Sequence, residues 1–341
     1  MGLHSLLGTL GTCTLLGLGL LLLGLWLWYR APRRYRSGRS VATAYDDWTR
    51  DGLLEDLWGE HIHLGHYGRP PGRRDFREAK ADLVRILARW GGLDQLPRGS
   101  TVLDVGCGIG GSSRLLAREF GLRVIGISIS PGQIERARSL TPADLDCHFK
   151  VMDALDLDLA DASVDAVWTV EAAPHIADKQ RFASELLRVL RPGGLLVAAD
   201  WNRRDDHGRP FSPLESWVLE QLQVQWAHPP FASIRDVCRD LGRTGLGPES
   251  ADWSRETLPS WPDSILEGVR RPIAVLRHGP GGLIKALREV PTILLMWWAF
   301  GTGLMQFGVF RLQVADADRG LDSTQAGSSS TPPPEVPSSI G

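Results

Sequence analysis

Cysteine is scarce in this chain: four in 341 residues, at 13, 107, 147 and 238, scattered and with no CxxC pair. That spacing argues against a disulfide framework or a thiolate zinc site and suits a reducing compartment. An excess of either charge is also missing, with 38 basic side chains against 40 acidic and a net charge of −2, so nothing global points to nucleic acid. No internal repeat is visible. From Ser5 to Tyr29 charge is absent altogether, and Leu and Gly dominate. At a rise of about 1.5 Å per residue, such a run can cross a hydrocarbon core roughly 30 Å thick. Basic residues follow it (Arg30, Arg33, Arg34, Arg36, Arg39), with Trp26, Trp28 and Tyr29 at the boundary. A cleaved signal peptide would carry its basic residues before the apolar run. The pattern reads instead as an uncleaved transmembrane anchor over 1–29 and a basic linker over 30–44, with the folded body on the cytoplasmic side. At the other end Gly327–Gly341 is Ser, Pro and Gly, and a disordered tail is expected over 315–341.

Between Gly99 and Trp201 short apolar runs alternate with amphipathic stretches. The runs are TVLDVGC (101–107), RVIGISI (123–129), CHFKVM (147–152), VDAVWTV (164–170) and LLVAAD (195–200). Nearly continuous apolar strands of this length are what a parallel sheet covered on both faces requires. SSRLLAREF, PGQIERARSL and DKQRFASELLRVL lie between them; in the last, Phe182, Leu186 and Leu190 recur at helical spacing. Alternation of strand and helix predicts an α/β, doubly wound, Rossmann-like sheet over 96–201, with ligands beyond the carboxyl ends of its strands. Residues 45–95 read as a helical lid, with ADLVRILARW (81–90) its clearest helix. Residues 202–314 read as a helical, substrate-binding insertion closed by LMQFGVFRLQV (304–314), which has the composition of a late edge strand.

The first strand runs into DVGCGIGG, Asp104 to Gly111. Glycines at 106, 108 and 110 let the backbone turn tightly and approach a ligand, and the following helix presents its N-terminus to it. Gly106, Gly108 and Gly111 also satisfy the dinucleotide GxGxxG pattern, but that site expects an acid near the end of the second strand. Here that strand ends Ile127-Ser128-Ile129-Ser130. Asp104 suits instead a ligand carrying its own ammonium or sulfonium charge.

These residues look like a class I S-adenosylmethionine-dependent methyltransferase. VLDVGCGIGGSSR, GISISPGQIERA, VEAAPHIADK, ELLRVLRPGGLLVAADW and YDDWTRDGLLEDLWGEHIHLGHYG, with ADWNRRDDHGRP, HPPFASI and REVPTILLM, resemble the tocopherol and plastoquinol branch over roughly residues 40–314. The resemblance implies C-methylation of a prenylated benzoquinol ring (phytyl or solanesyl) at a lipid bilayer, in a plasma or thylakoid membrane. It implies that Asp104, Gly106, Cys107, Gly108 and Gly110 hold the methionine part of S-adenosylmethionine. Ser128, Ser130 and Gln133 would face the ribose, and Asp153 with Ala154 the adenine. An acidic ribose partner at 128 is lacking, and Asp153 is equally placed to cap a helix.

A quinol carbon becomes nucleophilic when its neighbouring hydroxyl loses a proton, and the ring proton must leave afterwards, so a base is wanted near the strand ends. Glu171 and His175 follow the fourth strand; His175 titrates near working pH and is the first choice, with an ordering role for it as the alternative. WGEHIHLGHYG (58–68) sets His61, His63 and His66 close together. No carboxylate or thiolate completes a metal set and displacement from sulfonium needs none, so no metal is expected. The resemblance implies that this segment is a lid in which Trp58 and Tyr67 offer aromatic surface to the sulfonium or the quinol ring, with His61 or His63 as a second base or a hydroxyl partner; packing of the aromatics against the core is the alternative. PTILLMWWAF (291–300) is too short to span a bilayer and suits either core packing or an interfacial patch with Trp297 and Trp298 at headgroup depth. EAAPHIAD lacks the tetrad of amino-directed DNA enzymes and no basic groove is evident, so no nucleic-acid partner is expected. γ-Tocopherol methylation, another apolar acceptor, and a membrane-bound binding protein without catalysis are the alternatives.

Overall fold

Burial on both faces shapes the strands. In the computed structural model, which describes residues 17–20, 22–30, 32–242 and 247–315, the five apolar runs form β1 (Thr101–Val105), β2 (Arg123–Ser128), β3 (Cys147–Val151), β4 (Val164–Val170) and β5 (Leu190–Arg203). They pair in parallel. Val102, Trp168 and Val197 enter one core while Leu103, Val167 and Leu196 enter the other. The first core is covered by α4 (Phe76–Trp90), α5 (Gly111–Phe120), α8 (Pro213–Gln225) and α13 (Gly279–Gly301). The second is covered by α7 (Lys179–Arg188) and α9 (Ile234–Leu241).

Two antiparallel strands, β6 (Glu249–Asp252) and β7 (Met305–Gln313), complete the order β3-β2-β1-β4-β5-β7-β6. The late strand is therefore interior, not an edge. Its sequence explains why: Met305, Phe307 and Val309 face one core and Phe310 and Leu312 the other, so it needs cover on both sides. The short, polar ESAD strand takes the exposed edge, where unpaired backbone is best left small and charged.

The lid begins with α2 (Gly38–Arg50), α3 (Leu53–Trp58) and then α4. The division expected at 44/45 runs through α2, because Ser37 opens that helix, its N–H donating to Ser40 Oγ. The insertion adds α10 (Ser254–Thr257), α11 (Ser260–Arg270) and α12 (Pro272–Arg277) ahead of α13. PTILLMWWAF is the second half of α13, with one face in the core and the other toward solvent. Ile293, Met296, Ala299 and Phe300 are buried, whereas Leu294, Trp297 and Trp298 are exposed.

Of the expected anchor, residues 1–16 and Leu21 lie outside the described residues, as does the tail from 316. The remainder is helical (α1, residues 17–20 and 22–30) and packs on α13. A Cβ on Gly24 would stand 2.8 Å from Leu287 O, and Trp28 Nε1 donates to Thr292 Oγ1 at 2.9 Å. Among the described residues no helix is long and apolar enough to cross a membrane.

Candidate active site

Strand order reverses between β1 and β4, which opens a crevice beyond their carboxyl ends. The glycine turn after β1 forms its floor. Gly106 sits at φ 76°, and a Cβ there would come within 2.5 Å of Ala172 Cβ, so only glycine lets this loop close against the one after β4. Gly108, at φ 55°, has open space where a Cβ would stand. Asp104 is 3% exposed; burial pushes its carboxyl up to about 7, and the Ser113 hydroxyl at 2.5 Å only partly offsets this. Among the described residues no cation faces Asp104, so the turn suits a ligand that brings positive charge. Cys107 packs with Ile134, Ala137 and Phe149, and what it can offer a ligand is backbone.

At the end of β2, Ser128 Oγ donates to Gln133 Oε1 at 2.8 Å, and Ser130 caps α6 (Pro131–Leu140) through Gln133 N. All three side chains are buried. The acid missing from this strand arrives from the lid: Asp46 of α2 accepts from Ser130 Oγ and, at 3.1 Å, from Gly132 N. Asp153 is exposed after β3 and accepts from Leu155 N at 2.9 Å, a turn-capping bond, with Ala154 packed beneath it.

Beyond β4 and β5 a cavity of about 500 Å³ runs between the lid and the insertion. Its walls are apolar, from Leu53, Leu57, Trp58, Val275, Leu287 and Ile293 among others, and its inner end carries Tyr45, Glu171, His175, Trp201, Trp226 and His228. Glu171 is held at φ 56°, an uncommon conformation for a side chain of this size. Its Oε1 accepts from Leu64 N at 2.7 Å. Burial pushes its carboxyl up to about 8; the Leu64 N–H opposes the rise and nearby Asp200 adds to it. His175 ends a short 3₁₀ turn, its Nε2 2.7 Å from Tyr45 OH and its Nδ1 buried without a partner. Burial drives its pKa well below the ordinary imidazole value. Of the two expected bases, Glu171 therefore has the greater proton affinity, and His175 is a neutral hydrogen-bonding group.

The three lid histidines do not converge. His63 Nε2 lies 3.2 Å from His61 Nδ1 and 3.4 Å from Ser112 Oγ, while His66 turns edge-on to Trp253. Neither His61 nor His63 reaches the apolar cavity; His61 opens instead on a separate, charged cavity of about 580 Å³ with Arg77, Arg85 and Glu119. Both stand beside the start of α5, on the glycine-turn side, and it is the next residue, Leu64, that bonds Glu171. Tyr67 is buried elsewhere, donating to Asp263 at 2.8 Å, so of the two expected lid aromatics only Trp58 lines the apolar cavity. Lys80, fully buried on α4, explains the lid's placement: its ammonium donates to Trp58 O (3.1 Å) and His61 O (3.0 Å) and sits 4.0 Å from the Trp58 and Phe76 rings.

Tyr45, Asp46, Trp201, Trp226 and His228 were not expected at the site from sequence. Trp201 follows the end of an apolar strand run just as Glu171 does, and the same strand-end argument extended to the fifth run finds it. The others reach the site through contacts across the chain, which leave no local signal.

A model described as a methyltransferase domain matches residues 103–198. The chain is 55% identical over 288 residues to the 2-methyl-6-phytyl-1,4-hydroquinone methyltransferase of Synechocystis sp., covering 84% of this chain and 91% of that protein. It is 32% identical over 290 residues to the chloroplastic tocopherol O-methyltransferase of Arabidopsis thaliana, covering 81% and 82% respectively. Its fold matches the crystal structure of a sarcosine dimethylglycine methyltransferase from Galdieria sulphuraria with a TM-score of 0.66, at 22% identity and over 78% of this chain and 98% of that one. With a glycine turn, a buried strand-end acid and an apolar cavity in one crevice, the chain belongs to the S-adenosylmethionine-dependent methyltransferase family that includes the 2-methyl-6-phytyl-1,4-hydroquinone and tocopherol enzymes.

Proposed function

We propose that this protein methylates a ring carbon of a prenylated 1,4-benzoquinol, with 2-methyl-6-phytyl- and 2-methyl-6-solanesyl-1,4-benzoquinol as acceptors. One observation carries the reading: an apolar cavity, of ordinary size for a small-molecule site, ends in a buried acid and imidazoles next to the glycine turn. An oily tail fits its walls and a phenolic head its inner end. S-adenosylmethionine supplies the electrophilic methyl on its sulfonium. Asp104 would hold the cationic end of that donor, Gly106, Gly108 and Gly110 would let the backbone approach it, and Ser128 with Gln133 would meet its ribose hydroxyls. Glu171 as carboxylate accepts the proton of the ring hydroxyl, raising electron density at the adjacent carbon; after methyl transfer it returns that proton to the same oxygen, takes the ring proton as the ring regains aromaticity, and releases it to solvent. His175, fixed by Tyr45, orients the head as a neutral partner. Lid and insertion together exclude water.

Access from lipid is part of the proposal. Ile273, Leu276, Trp297 and Trp298 on α12 and α13 are exposed, as are Leu22, Leu25 and Trp26 on α1. We place this face at the headgroup level of a bilayer, with the N-terminal apolar run anchoring the chain from the cytoplasmic side. The test uses the full-length protein in vesicles with labelled donor and a panel of phytyl and solanesyl quinols and γ-tocopherol. Label is expected in the monomethyl quinols. Label in γ-tocopherol alone overturns the choice of acceptor.

A further inference from the structure

His228 sits in a position that packing alone does not explain. The loop between α8 and α9 reads Trp-Ala-His-Pro-Pro-Phe. Ala227 is held at φ 55°, which a side chain with a Cβ adopts only under constraint, and His228 N donates to Gln223 O at 2.9 Å. The two prolines that follow stiffen the loop and restrict His228 to extended backbone. The ring is 3% exposed and lines the inner end of the apolar cavity. It stacks on His175 with centroids 4.2 Å apart and touches Trp201 and Phe231 at 5.6 and 5.1 Å. Both of its nitrogens are buried and neither makes a hydrogen bond of regular geometry; the Pro174 carbonyl comes close enough to act on one of them, which leaves the other for a ligand. In so aromatic a slot phenylalanine would pack as well and leave no polar atom stranded. Burial takes the imidazole down to about 3, so it is neutral at working pH, one nitrogen a donor and the other an acceptor.

We propose that His228 is a specificity-determining residue that hydrogen-bonds one hydroxyl of the quinol head, while the Glu171 carboxylate takes the other. The inference rests on the prenyl-quinol reading above. A dihydroxy ring needs a polar partner for each hydroxyl. Glu171 follows β4 directly, and His228, contributed by the insertion, lines the same cavity. A pocket built around a hydroxyl discriminates strongly against an acceptor that lacks it, because its own buried polar groups are then unpaired.

The test compares the phytyl quinol with its two mono-O-methyl ethers, in wild type, His228→Leu, His228→Phe and His228→Asn, with donor affinity measured in parallel. Wild type is expected to favour the free quinol by roughly a hundredfold in kcat/KM over the ether blocked at the His228 side. His228→Leu and His228→Phe should raise the quinol KM about tenfold or more and erase most of that preference, with donor affinity unchanged. His228→Asn, which keeps a donor and an acceptor, should restore part of it. His228→Phe refills the aromatic slot, so it carries the comparison should the leucine variant not fold. An unaltered KM and preference in the folded apolar variants overturns the assignment, whereas a wild type inactive on every prenyl quinol overturns the underlying reading instead.

Discussion

On the reading proposed above, Glu171 carries the proton transfers of this site in one carboxyl. Its burial makes it a far stronger base than an exposed glutamate, and the same burial strains the unliganded fold. Activity needs its ionised form, so kcat/KM should be level above about pH 8 and fall tenfold per pH unit below it. Below about pH 7 the slope should steepen, as Asp104 also gains a proton and loses its hold on a cationic donor. Stability has the opposite sense. Because folding raises the Glu171 pKa from 4.5 to about 8, the unfolded chain sheds this proton first, and the folded state is progressively penalised as pH rises through that window. Glu171→Gln should therefore lower kcat by roughly 10²–10⁴. The same change should stabilise the unliganded protein at pH 8, on the order of a few kcal/mol, with little gain near pH 4. A pH–rate profile and thermal melts at both pH values check this; a variant that is both active and no more stable removes Glu171 from the role. The sequence located Glu171 and His175 at a strand end and put His175 first, whereas the proton affinities of the two folded side chains favour Glu171. Ordinary pKa values favour histidine, and only the burial of both side chains reverses the order.

At the scale of elements, α2 is the member whose importance local pattern conceals. One turn of it supplies Tyr45 to His175 on the acceptor side and Asp46 to Ser130 and Gly132 on the donor side. Asp46 and Ser130 are 84 residues apart, so no spacing rule brings them together. Asp46→Ala should loosen α2 from α6, raising donor Kd roughly five- to tenfold, with faster proteolytic cutting near residue 50 in the absence of ligand. Calorimetric titration and limited proteolysis read the two effects, and unchanged values for both would reduce Asp46 to a surface cap. The five parallel strands and most helices, by contrast, were legible to within a few residues, because their apolar pattern is set by nearest layers. β7 was recognised as a strand but misplaced at the edge: its composition announces a strand, while its neighbours on both sides come from elsewhere in the chain.

At the scale of the whole molecule, α1, α12 and α13 carry many of the exposed large apolar side chains, and α1 packs on α13, which also lines the cavity. Replacing both Trp297 and Trp298 with Asp should raise the KM for an acceptor presented in vesicles by about tenfold while leaving detergent-dispersed acceptor nearly unaffected. Equal effects in both media would mean that the tryptophans serve folding and not docking. The same global view gives weight to the contact between Gly106 and Ala172. Donor turn and acceptor loop meet there with no spare room for one more methyl group. Enlarging residue 172 would thus push on both halves of the reaction centre at once. Any effort to re-tailor this enzyme for bulkier ring systems finds more freedom along the greasy wall that Val275 and Leu287 line than at the tight junction of Gly106 and Ala172.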